Sequence, residues 1–144
     1  MGSPPHEYVV IVGCGRLGAH LAERLSRQGC SVVVVDADEA RLSALSVEFG
    51  GFRLDGDGTE LATLKRAKVD KADRVVAVTG HDNVNLMVAE IAKRIFQVPK
   101  VTARVSDTRR EAVFRALGIE TVCPLTLAAE KLLRGLAQSE VAPS

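Results

Sequence analysis

The run Val9-Val-Ile-Val-Gly13-Cys14-Gly15-Arg16-Leu17-Gly18 restricts what this chain can fold into more than any other segment. An apolar strand pattern ends there in three glycines at G-x-G-x-x-G spacing. A helical stretch follows, and a second apolar run, Ser31-Val-Val-Val-Val-Asp36, closes on an acid. Gly13 permits a tight exit from the strand, Gly15 lets the backbone approach a phosphate with no Cβ in the way, and Gly18 allows close helix–sheet packing. Amide groups at the start of the next helix, at its positive dipole end, attract an anion. The Asp36 carboxylate, about 20 residues further on, suits a ribose 2′,3′-hydroxyl pair and repels a 2′-phosphate. The expected ligand is therefore an NAD-type or plain adenosine nucleotide rather than NADP.

Apolar β-branched runs alternate with helical patterns along the rest of the chain, the sequence form of a parallel sheet covered on both faces. Strands are predicted near Tyr8 to Val12, Ser31 to Val35, Gly51 to Leu54, Arg74 to Val78, Lys100 to Arg104 and Thr121 to Cys123. Helices are predicted near Arg16 to Gln28, Glu39 to Glu48, Glu60 to Ala67, Asn83 to Phe96, Thr108 to Leu117 and Leu125 to Leu136. The fold class is α/β: a doubly wound, mostly parallel six-stranded Rossmann sheet of order 3-2-1-4-5-6 with a C-terminal crossover helix. Its ligand crevice lies outside the carboxyl ends of the strands, where the strand order reverses. Residues 8–136 are expected to form the nucleotide-binding domain, with 1–7 and 139–144 as flexible tails.

Composition excludes several functions. A net charge of +1 with interspersed signs lacks the basic footprint of a nucleic-acid binder. No apolar run approaches the ~20 residues of a bilayer span, so direct membrane insertion is not expected. Cys14, Cys30 and Cys123 are odd in number and lack CxxC spacing, which favours a reducing cytoplasm and argues against a metal site. Two helices carry surplus apolar surface. The 83–96 segment holds Val84, Leu86, Met87, Val88, Ala89, Ile91, Ala92, Ile95 and Phe96. The 125–136 segment sets Leu125, Ala128, Ala129, Leu132, Leu133 and Leu136 on one stripe with no later strand to serve. The first is a candidate contact with a second copy, and the second either packs on its own domain or docks on another subunit.

The ordered pieces Gly13-x-Gly15-Arg16-x-Gly18, Asp36, Gly56-Asp57-Gly58-Thr59, Ala72-Asp73-Arg74-Val-Val-Ala-Val-Thr79, Asp82-x-x-Asn85, Ala103-Arg104-Val105 and Gly118-Ile119-x-x-Val122-x-Pro124 extend this reading. In this set the chain resembles the N-terminal lobe of the domains that regulate potassium conductance (RCK/KTN), found in Trk/Ktr-type potassium uptake regulators. His81 departs from the pattern, standing where the family often has a second acid. The resemblance implies a non-catalytic sensor that binds NAD(H) or ATP, ADP or AMP. It also implies a homo-oligomer, a dimer or higher ring, attached at the inner face of the membrane through a potassium-transporting partner.

The expected binding set is Gly13, Gly15, Arg16, Leu17, Gly18, Asp36, Asp57, Gly58, Thr79, Asn85 and Arg104, with no catalytic or metal-ligating residue. Several members have blander readings. Arg16 is either a phosphate contact or an exposed first-turn arginine. Asp57 is either an adenine-side residue or an Asp-Gly turn former. Asp82 reads as a helix N-cap, and His81 as a solvated loop histidine. Arg104 needs an acidic partner or a place in the crevice. Cys14, beside the expected phosphate path, is either redox-sensitive through a lowered pKa or simply small enough to fit. The alternative function is the cofactor half of an NAD-dependent oxidoreductase. Tyr8 is the only tyrosine, so a Tyr-x-x-x-Lys pair is missing, and neither His20 nor His81 has an obvious catalytic carboxylate.

Overall fold

Valine-rich runs with buried side chains on both faces make the centre of the sheet. The computed structural model describes residues 6–141, with side chains described as far as residue 138. Residues 1–5 and 142–144, parts of the two expected tails, lie outside the described residues. Six strands, β1 (Tyr8–Val12), β2 (Ser31–Asp36), β3 (Phe52–Asp55), β4 (Arg74–Ala77), β5 (Lys100–Arg104) and β6 (Glu120–Val122), form one sheet in the order β3-β2-β1-β4-β5-β6. Every pairing is parallel, with Val10 opposite Val33 and Val75 at the centre. The Rossmann expectation is met, and the sheet is wholly parallel.

The period-2 alternation of each strand divides the core into two layers. Val10, Val12, Val33, Val35, Val75, Ala77 and Ala103 face a layer completed by Leu64, Val88, Ala92 and Phe114. Those last four come from α3 (Leu61–Arg66), α4 (Asp82–Glu90) and its continuation, and α5 (Glu111–Ala116). Val9, Ile11, Val32 and Val34 face the other layer, closed by Ala22 of α1 (Arg16–Arg27), Leu42 of α2 (Glu39–Ser43), Leu45 and Phe49. The last helix, α6 (Pro124–Val141), leaves the sheet after β6 and runs past its expected end at Leu136.

Most other boundaries shift by one to three residues, and two larger departures have a local reason. α2 stops at Ser43 rather than Glu48. There Arg53 donates to the carbonyls of Leu42 and Ser46, and the Glu23 carboxylate accepts the Ser46 amide, so these groups turn away from helical pairing. α4 widens into a π-turn over Ile91–Ile95, closed by the Phe96 amide on the Ile91 carbonyl. The extra residue keeps Ile91, Ala92 and Phe96 all turned to the core. Most of the apolar surplus of this segment is thereby absorbed within the domain, with Met87 and Ile95 left exposed.

Among the glycines, the tightest approach is between α1 and the turn that precedes it. A Cβ on Gly18 would lie 1.8 Å from the Gly13 carbonyl oxygen, and one on Gly13, where φ is +113°, would lie 2.7 Å from the Thr79 amide nitrogen. Both neighbours are backbone and cannot swing aside. Gly18→Ala is expected to cost about 2 kcal/mol or more and to lower the melting temperature by roughly 5 °C or more in a thermal melt.

Candidate nucleotide-binding crevice

The carboxyl ends of β1 and β4, where the strand order reverses, open onto a cavity of about 590 Å³. Its walls include Gly13, Asp36, Asp57, Gly58, Thr79 and His81, together with Arg41 of α2. That volume falls in the range of small-ligand sites, roughly 300–1,000 Å³.

The glycine turn presents this space with donors. Gly15 caps α1 with no side-chain acceptor, so the amide groups of the first turn are left for an outside anion. A Cβ on Gly15 would meet nothing within 4 Å, and the space beside it is free for a phosphate. Across the cavity, Asp36 is already held in place. Its Oδ2 accepts the Cys14 amide at 2.7 Å and its Oδ1 accepts the Asp38 amide at 2.8 Å. Each carboxylate oxygen keeps lone-pair capacity for a hydroxyl, so ribose can be added without breaking either bond.

Asp57 and Gly58 lie on the loop after β3. The Asp57 Oδ1 accepts the Thr59 amide at 2.8 Å and the Thr59 hydroxyl at 2.7 Å, an Asx turn that leaves Oδ2 uncommitted. Asp57 shapes the turn and also lines the cavity. Gly58 packs directly on Val12, where a Cβ would come within 2.5 Å of Cγ1.

Thr79 and Asn85 meet each other before they meet any ligand. Asn85 is 0% exposed. Its Oδ1 accepts the Thr79 amide at 2.9 Å and the Thr79 hydroxyl at 2.6 Å, and its Nδ2 donates to the carbonyls of Thr79 and Arg104, each at 3.0 Å. All its bonding capacity is spent, so Asn85 is a positioning residue that ties the exits of β4 and β5 together. The Thr79 hydroxyl also accepts the His81 amide at 3.2 Å.

The remaining candidates are dispersed. Arg16 is exposed at the start of α1 and is not among the cavity walls. Leu17 turns its side chain into the α1 layer of the core, so it offers the crevice only its backbone. Arg104 alternates with the core residues Ala103 and Val105 and so belongs to the opposite face of the sheet, where its Nε is buried without a hydrogen-bond partner among the described residues. Asp82 is the first residue of α4 rather than its N-cap. Its carboxylate accepts the amides of Ser106 and Asp107 at 2.8 and 3.1 Å, bracing the loop after β5. Cys14 is buried, and burial, then the Asp36 carboxylate, push its thiol pKa up. That direction runs against the lowered-pKa reading and favours Cys14 as a small core residue.

Arg41 escaped the sequence reading. It stands beside Asp36 on the cavity wall, 3.6 Å from the Asp38 carboxylate. The i, i+3 spacing of Asp38 and Arg41 on a first helical turn is the one signal that could have marked it.

Glycine turn, an acid at the end of β2 and a parallel sheet of this strand order define a Rossmann-type α/β domain. The chain matches the family described as the TrkA-N domain over residues 9–124, and it belongs to that family. It is 40% identical over 136 residues to the Trk system potassium uptake protein TrkA of Streptomyces coelicolor, covering 94% of this chain and 61% of that protein. The chain therefore spans about three-fifths of that relative's length. Among solved structures, the Shewanella denitrificans Kef CTD in its AMP-bound form superposes with a TM-score of 0.78 at 22% identity, covering 91% of this chain and 80% of that one. The GsuK channel bound to NAD superposes with a TM-score of 0.79 at 23% identity, covering 97% of this chain and 25% of that one. These two likenesses establish the fold.

Removing the Asn85 amide strands the Thr79 amide and the Arg104 carbonyl, and each unsatisfied buried group costs about 1–3 kcal/mol. Asn85→Ala should therefore lose about 3 kcal/mol of stability, read by urea denaturation. The bonds from Thr59 hold the Asp57 carboxyl below its ordinary pKa. A depressed folded-state value stabilises the fold above the unfolded value of about 3.9 and loses that contribution as pH falls through the folded value. Asp57→Ala should accordingly lower the melting temperature at pH 7 and narrow its gap from wild type in strong acid.

Proposed function

We propose that this chain is a nucleotide-sensing regulatory domain of a potassium uptake system, and that it acts by binding rather than by catalysis. The observation that carries the reading is the uncapped first turn of α1 opening beside a cavity that also holds Asp36. An adenine nucleotide, NAD(H) or ATP, ADP or AMP, would set its ribose on Asp36 and its phosphates on the amides of Arg16, Leu17 and Gly18. Membership of the TrkA-N family and the Streptomyces relative's name support the link to potassium transport. The AMP-bound form of the Kef CTD and the NAD-bound form of the GsuK channel support the choice of ligand class. No helix among the described residues is long and apolar enough to cross a membrane. The proposed location is the cytoplasmic face of a potassium-transporting membrane protein.

Regulation would run through a homo-oligomer. From Leu127 to Gln138 every described side chain of α6 is exposed, with Leu132, Leu133 and Leu136 between 63% and 68%. Burying each of these leucines is worth on the order of 1.5–3 kcal/mol, a large driving force for a helix with so little to pack on in its own domain. A receiving surface exists. α1 packs on β1 and β2, leaving Val76, Thr102 and Val122 on the same face of the sheet half-exposed. Docking of one copy's α6 there would produce a dimer whose geometry a nucleotide could bias by its differential affinity for two states.

Calorimetry with AMP, ADP, ATP, NAD⁺ and NADH tests the first part. At least one should bind saturably, and Gly15→Val should abolish that binding while changing the melting temperature of the free protein little, because Gly15 has open space around it. Absence of heat with all five sinks the nucleotide reading. For the second part, light scattering should give a dimer or larger assembly that Leu132→Asp with Leu136→Asp converts to monomer. A monomeric wild-type chain would refute the α6 interface.

A further inference from the structure

A second cavity, of about 540 Å³, lies at the other end of the sheet from the crevice. It is lined by Tyr8 at the start of β1, Ser31 to Val33 at the start of β2, Gly50 to Leu54 along β3, Arg66 at the end of α3 and Lys68 just after it. Its chemistry is amphipathic. Val33, Leu54 and Tyr8 give an apolar floor continuous with the core, and Phe52 on the edge strand stands 76% exposed. A phenyl ring left that open to water beside a formed cavity is an unfilled apolar contact.

The charge in the wall is one-sided. The lining contains Arg53, Arg66 and Lys68 and no carboxylate. Arg53 is committed elsewhere, donating to the carbonyls of Leu42 and Ser46 and lying 5.3 Å from the centre of the Phe49 ring. Arg66 spends one donor on the Asp55 carbonyl at 2.8 Å and keeps the rest of its fork. Lys68 sits in the left-handed backbone region, φ 56° and ψ 45°, which is costly for a residue with a Cβ. Its ammonium has no carboxylate partner among the described residues. Burial, then the nearby Asp70 carboxylate, push the Tyr8 phenol up, so its hydroxyl stays neutral and donates to the Ala67 carbonyl.

We propose that this cavity is a second ligand site, separate from the nucleotide crevice, for a small amphipathic anion with a flat apolar body against Phe52 and Tyr8 and an acidic group on Lys68 and Arg66. Its size suits a drug-sized molecule, and a forked guanidinium beside an ammonium suits a carboxylate or phosphate. Nothing in it depends on the reading of the crevice.

The test is a ¹⁵N–¹H titration of the full chain with 1-naphthyl phosphate. Saturable shifts are expected in Ser31–Val33, Gly50–Leu54 and Arg66–Lys68. Inorganic phosphate and neutral 1-naphthol should each bind at least about tenfold more weakly, since each keeps only half of the contacts. Phe52→Ser and Lys68→Gly should each weaken naphthyl phosphate binding by about tenfold or more. The glycine variant relieves the left-handed backbone and so keeps the fold. Failure to saturate those segments up to about 10 mM probe, shifts confined to the Gly13–Gly18 turn or to α6, or unchanged affinity in both variants would overturn the proposal.

Discussion

The fold depends on how closely α1 can lie on the turn that launches it. Gly18 rests against the Gly13 carbonyl with no room for a single carbon, and Gly13 rests against the exit of β4 in a backbone conformation that side chains resist. This contact holds the start of α1 over the carboxyl end of β1, so the amides that could hold an anion are fixed by packing rather than by the ligand. A larger residue at either glycine would lift the helix, and with it the donors, away from the cavity.

Two polar brackets reinforce the same edge of the sheet. Asp36 ties the end of β2 to the glycine turn through the Cys14 amide, and Asn85 ties the end of β4 to the end of β5. Each bracket satisfies backbone groups that strand endings would otherwise leave unpaired. The crevice therefore has stiff walls before any ligand arrives, which lowers the ordering cost of binding. They differ in what they leave over: Asp36 retains accepting capacity, whereas Asn85 retains none.

Much of this was legible in the sequence. The glycine spacing, the acid closing β2 and the alternation of apolar runs led to the strand order, and the TrkA-N match agrees with the resemblance read from the ordered motifs. What the sequence hid were choices among hydrogen-bond partners. Asp82 looks like an N-cap by position, yet its carboxylate reaches amides 24 and 25 residues away along the chain. Asn85 looks like a ligand contact by motif but is consumed internally, and Arg104 falls on the far face because strand alternation carries it there. The π-turn after α4 was equally hidden, since Ile95 and Phe96 are both apolar and the sequence does not say which of the two turns inward. Side-chain bonding over long separations has no local signature, while glycine turns and apolar periodicity do.

The poised state of Asp36 bears on what kind of signal such a crevice could carry. With its carboxylate already bonded on both oxygens, Asp36 would offer the same acceptors to any adenosine phosphate under the proposed function, and so would carry little information about which one is bound. Whatever distinguishes one nucleotide from another must be read at the far end, along the uncapped turn of α1 and beyond. A receptor with one shared handle and one discriminating end responds to competition between its ligands. Under the proposed function, two nucleotides competing for such a crevice would set its output by their ratio rather than by their total.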